Sequence, residues 1–443
     1  MTGPSLAGAG VRDRRRYVIA VGLMLVLTLG YIDRVSFSIA GVHIIQDFHL
    51  STGDYGLLSS AFNWSYLLML LPVGILADRV GSKVLLPAFM VIWSIGVGVT
   101  GLVTGVVGLI LARLLLGIGE SPINPAGNVI VREWSPAQER GLFGGIFNAG
   151  SLVGPAIGSV VAAYLIQSLG WRGSFVVLGV VGIVFAVVWF GVYARPEKAR
   201  WLRPAERAFI LASRETAEAD SRGAAITIRS FLRRSTTWGL LVTHGCAVYC
   251  QYLFLTFLPV YLANVRGLKD LSTGWAAGGA YGLATVLSLA TVAIADRWVR
   301  RQGAAAELRT RRRGLVVTVL LGLPLALLPL VGSTALIIII VAWVLSFALS
   351  AIALNWALAN TLLTDRRSVG RLFALIAVGG NTLGLLAPLA TGYLVDWTGS
   401  YAMPFLLAAL LLVVGAGATL LLSRHHLGAD LEMAERRPAP ESR

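Results

Sequence analysis

Arg113 to Asn128 reads RLLLGIGESPINPAGN and lies inside an apolar run that extends from Val106 to Val131. At 3.6 residues per helical turn, Arg113, Gly117, Glu120, Asn124 and Asn128 share one narrow face, with Leu, Ile, Val and Ala over much of the rest. An ionised side chain near the middle of a membrane helix costs roughly 2.5–3.5 kcal/mol on insertion scales. A helix with an arginine and a glutamate on one stripe therefore faces protein or water rather than lipid. A structural ion pair would satisfy the same pattern, but charges inside spans more often line a transport path. The stripe is read as the wall of such a path.

The rest of the chain fits a membrane setting. Of 443 residues, 56% are hydrophobic and 13% charged, and the mean hydropathy is +0.76. Soluble domains carry about 25% charged residues. Apolar runs of about 20 residues number twelve: 17–40, 54–77, 84–104, 106–131, 141–167, 173–194, 238–263, 273–295, 314–332, 335–362, 370–393 and 401–423. The predicted fold is an all-α membrane protein of twelve transmembrane helices in two six-helix halves, 1–194 and 238–423, with a linker 195–237 and a tail 424–443.

Net charge is +15. In a soluble protein that would suggest nucleic acid, but no nucleic-acid-binding motif is present and the basic residues fall between apolar runs. Only Arg172, Arg266 and Lys269 sit in odd-numbered connections, and only Arg34 and Arg113 well inside spans. By the positive-inside rule both termini and the linker are expected in the cytoplasm of a multi-pass plasma-membrane protein. The basic run Arg12 to Arg16 precedes an apolar stretch too long for a signal peptide, so it is read as the start of a retained first span. The linker holds a possible amphipathic helix over Pro204 to Ala219 and is expected to be a solvated tether. Cys246 and Cys250, four apart in one span, are read as packing residues, neither disulfide nor metal ligands.

Asp33, Arg34, Arg113 and Glu120 are the acidic and basic residues well inside spans, and their formal charges sum to zero. Burial favours a neutral carboxyl and a nearby arginine favours the ionised one, so such an acid can load and release a proton as its neighbours change. Arg34 offers a planar fork suited to a carboxylate. Acids for protons and an arginine for an anion are the minimal parts of proton–anion symport. The second half supplies neutral polar groups: His244 and Gln251 on one face of the seventh span with Tyr252 adjacent, Asn355 and Trp356 in the tenth, and Asn381 in the eleventh. Each alone is more often an interhelical hydrogen bond than a ligand. Together they are candidates to bind a polyol-like substrate, and His244 is a candidate to titrate.

The segment GILADRVGSK, from Gly74 to Lys83, resembles the cytoplasmic signature of the major facilitator superfamily, with Gly74, Asp78, Arg79, Gly81 and Lys83 at family spacing. AIADRWVRR after the eighth span repeats it in degenerate form, Asp296 aligning with Asp78. GSLVGPAIG in the fifth span resembles TLGLLAPLATG in the eleventh, Pro155 corresponding to Pro388. Such paired halves imply the parallel repeat of that superfamily, with a site near midplane. YIDRV, GIGESPINPAGN with WSPAQERG, and FNAGSLVGPAIG with GWRGSF further resemble the anion:cation symporter family, above all bacterial transporters of galactonate, glucarate and hexuronates. The resemblance implies proton coupling at Asp33 and Glu120 and substrate contacts at Tyr31, Arg34 and Asn381; Arg113, on the same face as Glu120, is expected to serve with Arg34 as a countercharge. The position at which sugar-acid members carry a glutamine corresponds to His244. It also implies a role for Asp78 in holding the outward-facing state.

The linker PEKARWLRPAER resembles members that carry tartrate or aromatic carboxylates, and a drug efflux antiporter of the same fold is a further alternative. A membrane enzyme would need a nucleophile or metal constellation. No H-E-x-x-H, G-x-S-x-G or His/Cys cluster is present, so no cofactor or metal is expected. The expected partners are a small organic anion, protons and the bilayer, with the chain working as a monomer.

Overall fold

The computed structural model describes residues 14–219, 226–365 and 368–427, apart from the side chains of Leu71, Ala77, Asp78, residues 214–219 and Ala304. Among them the chain is helical, with one isolated bridge between Leu363 and Leu427. In hydrocarbon every backbone N–H and C=O must be satisfied within its own segment, which is why the apolar runs become helices. In chain order these are α1 (Tyr17–Ile39), α2 (Gly41–Asp47), α3 (Thr52–Val80), α4 (Ser82–Thr100), α5 (Val106–Glu120), α6 (Ile123–Trp134), α7 (Arg140–Val192), α8 (Pro204–Ala219), α9 (Ile228–Leu232) and α10 (Ser235–Arg266). They continue as α11 (Asp270–Gln302), α12 (Glu307–Leu320), α13 (Thr334–Leu362), α14 (Val369–Thr398) and α15 (Ala402–Leu421).

Among the described residues ten stretches are long and apolar enough to cross a membrane, and one of them, Ala137–Val192, is 56 residues long. That one is two helices meeting at Gly170, whose φ of 70° and ψ of 165° suit a residue without a Cβ. With α3, 29 residues long, the count is the twelve spans expected.

Two spans depart from plain helices. The expected continuous fourth span breaks between α5 and α6, because Pro122 has no N–H and its ring displaces the carbonyl four residues back. That carbonyl, of Ile118, accepts instead from Ser121 Oγ at 2.7 Å and Ser121 N at 3.3 Å. The ninth span ends as a 3-10 helix, Leu323–Leu330, with prolines at 324 and 329. The segment after α1 contains the short helix α2.

The chain groups into two compact units. The first comprises Met1–Asp33, Trp64–Gly154 and Arg172–Arg222. Here α7 packs on α1 through glycines: Gly154 lies against Tyr31 Cβ and the Thr28 carbonyl, and Gly150 against the Met24 carbonyl. The first stretch of the linker, residues 195–213, is docked on this unit rather than solvated. The Trp201 ring stacks on Trp134 at 5.2 Å and 11°, and Ile210 and Ala199 are fully buried. Arg16 donates to Glu139 on one side and to Glu206 of α8 on the other, at 2.8 Å each. The Glu139 hydrogen bond holds the guanidinium above its ordinary range. Glu206 is fully buried, so Arg16→Gln leaves a carboxylate without its counter-charge. Losing one partner of a buried pair costs about 3–5 kcal/mol. We expect trypsin to cut the linker of Arg16→Gln at least tenfold faster than that of the parent; equal cleavage rates would show that α8 is held by its apolar face alone.

The second unit comprises Arg34–Asn63, Pro155–Trp171 and Gly223–Arg443. Within it the last turns of α1, the first half of α3 and the middle of α7 close against α10, α11 and α14. Ser38 Oγ donates to the Thr256 carbonyl at 2.5 Å. Tyr55 stacks on Phe37 at 5.7 Å and meets Phe257 edge-on at 5.6 Å. Asp396 of α14 accepts from the N–H groups of Thr52 and Gly53 at 2.9 and 2.7 Å, at the start of α3. His43 Nε2 lies 2.9 Å from Asp270 Oδ1. Gly274 and Gly278 of α11 let that helix lie on the carbonyls of Ser159 and Ala156, each 2.7 Å from where a Cβ would stand.

Candidate functional site

In the first unit α1 presents Asp33, 6% exposed, and α5 presents Arg113, 6% exposed, and Glu120, fully buried. Burial of both charges on α5 places them against protein. Glu120 ends α5 at the Pro122 break, and its carboxyl lies against α1, with Cδ and Oε2 each 3.5 Å from the Cβ position of Gly30. Beyond the break the stripe turns outward: Asn124 and Asn128 are exposed, and Asn124 Nδ2 donates to Tyr66 OH at 3.0 Å. Tyr31 is half-buried against Gly154.

In the second unit the Arg34 guanidinium carbon stands 4.5 Å over the Phe62 ring, and its Nη1 donates to Tyr252 OH at 3.4 Å. A cation over an aromatic face keeps its charge stabilised, and Arg34 is half-buried. Gln251 precedes Tyr252 on α10 and is also half-buried. About two turns earlier on α10, the His244 ring meets Trp356 of α13 edge-on at 4.8 Å, and Trp356 packs on Phe373 of α14 at 4.6 Å. His244 is 4% exposed, and its Nδ1 has no partner among the described residues. Gly380 admits that ring, with His244 Cγ 3.1 Å from its Cβ position.

Two candidates are engaged locally. Asn355 Nδ2 donates to the Leu240 carbonyl at 3.1 Å, tying α13 to α10. Asn381 Nδ2 donates back to the Ala377 carbonyl of its own helix at 2.7 Å. Sequence reasoning missed Phe62 and Phe373, and named Tyr252 only as a neighbour. The readable signal for Phe62 was the polar–aromatic interruption FNWSY in an apolar span.

At the other end of α3, Gly74 is helical and Gly81 caps α4 with φ of 78°, a conformation that requires glycine there. Lys83 Nζ lies 5.6 Å above the Phe190 ring, and Arg79 is exposed. The Asp78 side chain lies outside the described residues. Cys246 and Cys250 are buried free thiols, and among the described residues no group of His, Cys, Asp or Glu could hold a metal.

The chain is similar to known proteins over most of its length. The chain is 30% identical over 415 residues to the "Hexuronate transporter" of Bacillus subtilis, covering 92% of this chain and 94% of that protein. It is 29% identical over 407 residues to the "Probable L-galactonate transporter" of Escherichia coli, covering 91% and 88%. Among solved structures, a bacterial homologue of the human lysosomal transporter Spinster superposes with a TM-score of 0.75 at 19% identity, covering 97% of this chain and 100% of that one. The profile of the Major Facilitator Superfamily matches residues 23–366. The chain is a multi-pass membrane protein, a transporter and not an enzyme, and it belongs to the Major Facilitator Superfamily.

Proposed function

We propose that the protein is a proton-coupled symporter that imports an organic anion, a sugar acid of the galactonate, glucarate or hexuronate type, with both termini in the cytoplasm. The observation that carries this reading is Arg34, held over Phe62 and against Tyr252. A cation pocket for drug efflux would keep acids without such an arginine. The names of the relatives, both sugar-acid transporters, support the substrate class. Arg34 anchors the carboxylate while Tyr252, Gln251, His244 and Trp356 face the rest of the molecule. Asp33 and Glu120 carry the protons, with Arg113 as the countercharge of the ionised state. The arginine handling the anion follows directly in the chain on an acid handling the proton. Uptake into proteoliposomes of a panel of sugar acids, tartrates and benzoates, with and without an inward proton gradient, tests the reading; sugar-acid uptake indifferent to the gradient would overturn coupling.

The His244–Trp356–Phe373 cluster favours a second reading, uptake of an aromatic carboxylate by the same mechanism, since three rings packed edge-on and tilted would hold a planar substrate. Preference for benzoates over sugar acids in the same panel would select it.

Arg34→Lys keeps the charge but not the fork. A point-charge ammonium cannot reproduce a bidentate carboxylate contact, and hydrogen bonds to charged groups contribute about 1.5–3 kcal/mol. Substrate affinity by calorimetry is expected to fall at least tenfold. Near-parental affinity would remove Arg34 as the anchor.

A further inference from the structure

Where α3 ends, α4 begins and the chain leaves α7, a cleft of about 330 Å³ opens, lined by Arg79, Lys83, Arg195 and Lys198 together with Val80 and Gly81. All of these belong to the first compact unit. Four formal positive charges on three separate elements converge here, and among the described residues no carboxylate lines the cleft. Arg195 is oriented rather than free: its Nε pairs with Glu133 at 3.4 Å, and Glu133 also accepts from Tyr193 OH at 2.7 Å. The rest of that guanidinium reaches across Gly81, with Nη2 3.4 Å from the Cβ position, so a larger residue at 81 would crowd it. Lys83 is steadied over Phe190. Gly81 gives α4 no side-chain cap, so the N-terminal end of a 19-residue helix adds its positive dipole to the same space.

We infer that this cleft binds a phosphate group, and that the phosphate is supplied by the headgroup of an anionic phospholipid. Two features favour a lipid over free phosphate. Beside the cations stand exposed apolar side chains, Ile75 at 60%, Val80 at 45%, Val84 at 48% and Phe190 at 51%, a surface for acyl chains. Basic clusters at the ends of transmembrane helices are also the usual receptors of anionic headgroups. Occupied, the cleft ties the α3–α4 turn to the first residues of the linker through one anion, so the transporter responds to the charge of its bilayer.

The test is native mass spectrometry of the purified full chain, titrated with phosphatidylglycerol or phosphatidylcholine. The parent is expected to retain one phosphatidylglycerol in preference to phosphatidylcholine. K83Q/K198Q should bind it about 10- to 30-fold more weakly, by the attraction that each Lys contributes towards an anionic headgroup. R300Q/R301Q, which removes two exposed charges at the end of α11, should bind as the parent does. Because a double variant can misfold, K198Q alone, outside any helix, is run beside it and should show a several-fold loss with an unchanged melting temperature. Retention unaffected by millimolar inorganic phosphate assigns the lipid as the source; displacement by inorganic phosphate keeps the phosphate site but overturns the lipid assignment. Equal losses in K83Q/K198Q and R300Q/R301Q, or no preference for phosphatidylglycerol, would overturn the site itself.

Discussion

Glu120→Gln is expected to abolish proton-driven accumulation of the anion while leaving equilibrium binding in place. Glu120 is fully buried at the end of α5. Its carboxyl rests on Gly30, one turn of α1 before Asp33 and Arg34. An ionised carboxylate at that depth requires a cation, and Arg113, seven residues earlier on the same face, is the one α5 supplies. An arriving substrate carboxylate competes for arginine, which favours protonation of the acid and moves proton and anion together. Couplings of this kind usually amount to about 1–3 kcal/mol, or roughly 5–150-fold in apparent affinity. Gln mimics the protonated acid, so the variant should bind with weakened pH dependence, exchange substrate across the membrane, and fail to concentrate it. Uphill accumulation equal to the parent would make Glu120 structural and move the coupling to Asp33 or His244.

Gly274→Trp should have an effect of similar size by a different route. The Gly274 backbone lies on Ala163 and on the carbonyl of Ser159, closer than any Cβ could approach. An indole there cannot be absorbed by a rotamer change, because the obstacles are the Ala163 Cβ and a backbone carbonyl, neither of which a rotamer moves. Overpacking of this kind costs typically 1–3 kcal/mol, enough to shift a two-state population roughly 5- to 150-fold away from the closed arrangement of α7 and α11. The readout is a thiol at position 38, buried beneath Thr256 in the closed arrangement, in a background with Cys246 and Cys250 replaced by Ala. In Ser38→Cys alone, labelling by an impermeant maleimide should be slow. With Gly274→Trp added it should be at least tenfold faster, and transport should be lost. Slow labelling in the double variant would mean that the α7–α11 contact does not govern access from that end.

Much of the architecture could be read before any coordinates, and for a definite reason. A lipid-embedded backbone has few options, so length and polarity of each run fix a helix, and the Gly–Asp–Arg–Gly–Lys spacing of residues 74–83 identified the superfamily. The positions of Asp33, Arg113 and Glu120 were legible because buried charge is rare enough to stand out from an apolar run. What escaped was set by neighbours distant in sequence. Phe62 and Phe373 are ordinary apolar residues until Arg34 and Trp356 lie against them. The break at Pro122 was present in the letters, yet a strong apolar period on both sides hid it. The linker reads as charged and solvated, but Trp201, Phe209 and Ile210 dock it, and Arg16 buries Glu206 against the body of the first unit.

The clamp at Arg16 also sets a timetable for biogenesis. Its two carboxylate partners are made 123 and 190 residues later. At about 5–20 residues per second, the nascent chain carries that arginine for roughly 10–40 s before Glu206 leaves the ribosome. The first six spans are therefore inserted before their final brace exists. The amino-terminal half reaches its mature stability only when the linker has been translated, so a chain released between Val192 and Pro204 would be complete in its first six membrane helices but without its latch, a natural substrate for membrane quality control.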